Sequence, residues 1–202
     1  MSIRLYVEGG GDSKALRTEC RRGFSEFLKK AGLAGRMPRV VACGGRRNAY
    51  DSFCAALAAG STGPPMLVVD SEEPVTAAGP WEHVQARDQW ARPSAATDDR
   101  CHLMVQCMEA WFLADRQSLT RYFGQDFREA ALPANEQVEE IAKTDVLDGL
   151  KHATRVTQKG PYSKGKHGFD ILAVLNPTMV EGAAPHARRL LEDLRRLAGK
   201  TT

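Results

Sequence analysis

Three carboxylates stand where strand-like runs break off. Glu8 precedes Gly9-Gly10-Gly11, and Asp70 and Glu72 follow the apolar run Met66–Val69. Residues i and i+2 of an extended segment point to one side, so Asp70 and Glu72 are expected to face Glu8 across a shared sheet edge. Converging carboxylates repel, and either a raised pKa or a bound hard cation relieves that repulsion; an all-oxygen donor set suits Mg²⁺ or Mn²⁺. A cation held by few carboxylates keeps positions open for phosphate oxygens and water, the equipment of phosphodiester hydrolysis or transfer. Read without a metal, the same acids are a solvated turn or a helix cap. The glycine run lacks the Gly-Lys-Ser/Thr of a P-loop and serves a tight turn.

Basic groups flank these acids along the chain. Arg46 and Arg47 follow Gly44-Gly45 at the end of a second strand, where either can clamp a phosphate or lie exposed. The stretch Lys159-Gly-Pro-Tyr-Ser-Lys164-Gly-Lys166-His167 is a basic loop with an aromatic inside it, suited to phosphate contacts as much as to solvation. Glu109, in Met108-Glu109-Ala110-Trp111, reads as a metal ligand, a structural acid or a helix-start charge. Trp111 and Phe112 are expected in the core. His83, His102, His152 and His186 lack metal-ligand spacing and receive no role.

The elements that must position these groups alternate. Ile3–Glu8 reads as a strand, then Asp12 or Ser13 caps a helix carrying Leu16, Cys20, Phe24, Phe27 and Leu28 at helical spacing. Val40–Ala42 and a helix over 48–59 repeat the unit. Met66–Asp70 reads as a strand buried on both faces of a parallel sheet, and 102–106 as a fourth strand. Between them, Pro74 to Asp99 is rich in Pro, Ala and charge and predicts a surface excursion. The fold class is α/β: one domain over 1–202, with a core of about four mostly parallel strands and helices on both faces over 1–120, and a helical C-terminal region over 121–202. Its last helix, Pro185 to Leu197, stripes Leu190, Leu191, Leu194 and Leu197 on one side.

Composition narrows the class. Net charge is +3, with 28 basic and 25 acidic side chains, which neither demands nor excludes a polyanionic partner. Five cysteines without a C-x-x-C pair argue against disulfides and zinc, and for a reducing cytoplasm. No apolar stretch approaches a membrane span, so no membrane partner is expected. Oligomeric state is not legible.

The motifs VEGGGD at Glu8 and VVDSE ending at Glu72 resemble the TOPRIM pattern of a Glu after the first strand and an acidic pair after the third. LYVEGGGD, CGGRRNAYDSF, VQCMEAWFLAD and the Lys/His segment together are similar to a TOPRIM-like family known as domain of unknown function 4276, over most of the chain. The resemblance implies a Rossmannoid fold and a Mg²⁺- or Mn²⁺-dependent nuclease, with nucleic acid as substrate and an ATPase partner in bacterial defence loci. It maps metal ligands onto Glu8, Asp70, Glu72 and Glu109, and Glu8 onto general acid or base. Lys164, Lys166 or Arg46 would then neutralise phosphate charge, with Arg47, Lys159 and His167 as further contacts. The pair here is Asp70-x-Glu72 where TOPRIM has Asp-x-Asp, so Glu73 is an alternative to Glu72. A TOPRIM-like subunit that docks on an ATPase and senses nucleotide or nucleic acid without cutting is the second expectation.

Overall fold

The computed structural model describes residues 2–60 and 63–199. Four parallel strands, β1 (Arg4–Val7), β2 (Arg39–Ala42), β3 (Pro65–Asp70) and β4 (Cys101–Met104), form a sheet in the order β2-β1-β3-β4. β3 is buried along its whole length, as its unbroken apolar run requires. Successive side chains alternate between two apolar clusters. Leu5, Val7, Met66, Val68 and Met104 enter the larger one, and Tyr6, Leu67, Val69, Cys101 and Leu103 the smaller one.

Helix α1 (Lys14–Leu28) starts at Ser13, whose Oγ accepts the Leu16 N–H at 3.0 Å, and buries Cys20, Phe24, Phe27 and Leu28 in the larger cluster. Helices α2 (Arg46–Ala58) and α3 (Pro80–Asp88) cover the opposite face through Phe53, Trp81 and Val84. The segment from Pro74 to Asp99 runs largely over the surface, as expected, but it also contributes a covering helix. Trp81, His83, Val84 and Trp90 are buried, because the second face of the sheet needs a cover and these aromatics supply it.

The C-terminal region consists of α4 (Ala110–Ala114), α5 (Arg116–Phe123), α6 (Lys143–Thr154), α7 (Phe169–Val174), α8 (Pro177–Ala183) and α9 (Pro185–Gly199), with short 3-10 and π turns between them. α7 packs on α1 and α9 on β4, and Leu190, Leu191 and Leu194 join the same apolar cluster as β1 and β3. Trp111 stacks on Phe27 in that cluster with ring centroids 5.5 Å apart, the core placement expected for it. All five cysteines are free. Among the described residues, no helix is long and apolar enough to cross a membrane.

Candidate metal centre

Strand order reverses direction at β1, and ligand crevices in open parallel sheets form at such points, beyond the carboxyl ends of the strands. β1 and β3 are neighbours with Val7 opposite Val68, so their ends deliver Glu8 and Asp70 side by side. Glu8 N–H donates to the Val68 carbonyl at 2.9 Å, and the Asp70 N–H returns a bond to Glu8 Oε2 at 3.1 Å. Gly9 and Gly44 exchange two backbone hydrogen bonds of 2.8 Å, which turns the chain away immediately after Glu8.

Asp70 is 1% exposed. Its Oδ1 accepts the Met108 N–H at 2.9 Å, which fixes the carboxylate and leaves Oδ2 facing the centre. Glu72 arrives differently from the extended pairing expected of it. The strand stops at Asp70, Glu72 N–H donates to the Gln106 carbonyl at 2.8 Å, and Glu72 takes a left-handed backbone with φ of 70°. One carboxylate oxygen each of Glu8, Asp70 and Glu72 lies within 4.8 Å of the others, close enough for one ion to be shared among them. Glu73 is exposed and stands outside that cluster. Glu109 forms the buried floor; Tyr162 Oη donates to its Oε1 at 3.0 Å.

Cations ring the acids. Lys164 Nζ lies 3.3 Å from Asp70 Oδ2 and 3.6 Å from Glu109 Oε2. Lys143, at the start of α6, puts its Nζ 2.7 Å from Glu72 Oε1 and 3.6 Å from Asp70 Oδ2. Arg46 holds Asp88 through two nitrogens, donates to the Asp70 carbonyl and comes within 3.8 Å of Glu8 Oε2. Its guanidinium also stacks 4.9 Å from the Trp90 ring centroid, so this arginine is committed to protein partners. Burial, and then the negative charge of Asp70, raise the Glu8 carboxyl to about 7 against the pull of Arg46 and Lys164. Burial works against a charged Lys164, yet Asp70, Glu109 and Glu8 hold its pKa above the ordinary lysine range.

Other expected contacts lie away from the centre. Arg47 is exposed, paired with Asp51 one helical turn on. Lys166 Nζ donates to the Lys159 carbonyl at 2.6 Å, and the Lys159 ammonium sits over the Tyr122 ring. His167 is buried; its Nδ1 accepts the Ser163 N–H and its Nε2 meets the Lys159 carbonyl, bonds that hold the 159–167 segment folded. That segment is thus an anchored turn, pinned by Tyr162 and His167, and Lys164 alone among its basic residues pairs with the acids. Lys143 completes the centre without any local sequence signal for a role there, whereas Tyr162 is the aromatic of the basic stretch 159–167.

An all-oxygen trio with lysines beyond it fits a hard divalent cation and a phosphate. No curated protein and no solved structure matches the chain. A family model does match, over residues 7–195, which takes in every residue of the centre. The chain belongs to the family described as Domain of unknown function (DUF4276).

Proposed function

We propose that this protein is a Mg²⁺- or Mn²⁺-dependent enzyme that cuts or processes phosphodiester bonds of nucleic acid, a TOPRIM-type nuclease of the cytoplasm working beside an ATPase in bacterial defence. The observation that carries the reading is the convergence of Glu8, Asp70 and Glu72 at the sheet's carboxyl edge with Lys143 and Lys164 against them. Glu8, Asp70 and Glu72 would hold the ion, which when bound polarises a phosphoryl oxygen and activates water. Asp70 keeps its orientation through the Met108 N–H. Lys164, next to the cleft lined by Lys143, Lys151 and Ser163, neutralises phosphate charge. Without an ion, burial and then Asp70 raise the Glu8 carboxyl to about 7; a bound ion would favour its carboxylate, the form that serves as a ligand.

The test is cleavage of plasmid, single-stranded DNA and structured RNA by purified protein with Mg²⁺ or Mn²⁺, alongside Glu8→Gln and Asp70→Asn. Metal-dependent cutting that both substitutions abolish supports the enzyme. Variants that cut as well as wild type would remove it. One observation favours a second reading, a subunit that docks on an ATPase and binds nucleotide or nucleic acid without cutting: Lys143 and Lys164 already balance the acids with ion pairs. A wild type that stays silent with its ATPase partner present, yet binds nucleic acid, supports that reading.

A further inference from the structure

Four carboxylates line the centre, and only three of them, Glu8, Asp70 and Glu72, bring ligand atoms within 4.8 Å of one another. Glu109 stands apart. It is 0% exposed, Tyr162 serves its Oε1, and Oε2 has no hydrogen-bond partner. The cation nearest that oxygen is Lys164 Nζ at 3.6 Å, and the same nitrogen is 3.3 Å from Asp70 Oδ2. An ammonium therefore bridges a member of the acidic trio and the acid outside it. In a two-ion centre, with ions about 3.5–4 Å apart, a second ion sharing Asp70 would take that position.

We propose that the centre takes a single divalent ion, on Glu8, Asp70 and Glu72, and that Lys164 is a built-in cation occupying the second position between Asp70 and Glu109. The inference rests on the metal-dependent reading and deepens it. The cations set directly against these acids are Lys143 and Lys164, because Arg46 is held by Asp88. A second ion between Asp70 and Glu109 would meet the Lys164 ammonium already standing there. On its other side Lys164 borders a cleft of about 370 Å³ with Lys143, Lys151 and Tyr162, so the ammonium that closes the second position also meets an arriving phosphate.

Counting bound Mn²⁺ by calorimetric titration and by the electron paramagnetic resonance of the free ion tests this. Wild type and Lys164→Arg are expected to bind one ion per chain, Lys164→Ala two, and Lys164→Ala combined with Glu109→Gln one again. The Lys164 side chain is 45% exposed, so its truncation leaves no core void, and circular dichroism melts verify that each variant is folded. Two ions in wild type, or one in Lys164→Ala, overturn the proposal and leave the metal-dependent reading standing. No ion in wild type overturns both.

Discussion

A buried histidine and a partly buried glutamate push stability in opposite directions between pH 4 and 7, and their near-cancellation is open to measurement. His102 on β4 is 1% exposed; Asp99 offers its carbonyl, and Arg189 and Asp193 face it from α9. Burial and then Arg189 lower its pKa from 6.5 to about 4, against Asp193 and Asp99. The unfolded chain takes the proton first, so stability falls as pH drops from 6.5 to about 4. Glu8 does the reverse. Its pKa rises from 4.5 to about 7, so the folded chain keeps a proton that the unfolded chain has lost, and stability falls as pH rises from 4.5 to about 7. Integrated from pH 6.5 to 4.5, each group contributes about 2 kcal/mol, with opposite sign. In chelator, Glu8→Gln should therefore lose about 2 kcal/mol relative to wild type over that interval, a Tm lower by about 4–8 °C. His102→Gln should gain by a similar amount. Thermal unfolding followed by circular dichroism, read as variant minus wild type so that other carboxylates cancel, is the assay. Parallel pH profiles for wild type and Glu8→Gln would refute the assignment.

Adjacent arginines should behave unequally: Arg46→Ala breaks the Asp88 pair and the Trp90 stack and is expected to cost about 3 kcal/mol in urea denaturation, while Arg47→Ala stays within about 0.5 kcal/mol. Ser13→Ala removes the acceptor for Leu16 N–H and should cost about 1 kcal/mol by the same measurement. A Cβ at Gly44, where φ is 78°, would lie 2.6 Å from the Gly11 carbonyl oxygen. Gly44→Ala must therefore open the Gly9–Gly44 bridge beside Glu8, with more than about 1 kcal/mol lost and Mn²⁺ affinity reduced in titration calorimetry.

The sheet was legible because its signals are local. The unbroken run Met66–Val69 can be buried on both faces only in a covered parallel sheet, and it is. The meeting of Glu8 with Asp70 followed from both standing at strand ends, whereas Glu72 converges through a left-handed turn that period-two alternation does not encode. Helix geometry separates the two arginines that the sequence left open: consecutive helical positions differ by about 100°, so Arg46 faces the sheet edge and Arg47 faces solvent. Lys143 was out of reach for a stronger reason. It is 71 residues from the Glu72 it pairs with, and only the docking of α6 brings its ammonium there. The Pro74–Asp99 segment lies largely on the surface as its Pro, Ala and charge content suggested, while Trp81 and Trp90 within it mark the buried face that this composition hid.

The acids and the cations of the centre come from different stretches of the chain. Glu8, Asp70 and Glu109 all precede Lys143 and Lys164, and Arg46 alone among the cations lies early. Phe169, Ile171, Leu190, Leu191 and Leu194 share the apolar cluster of β1 and β3, so the sheet that gathers the carboxylates closes its core only once the helices that follow Lys143 and Lys164 are made. Carboxylates and ammoniums therefore meet in one closing step, with Lys143 and Lys164 in place as Glu8, Asp70 and Glu72 converge.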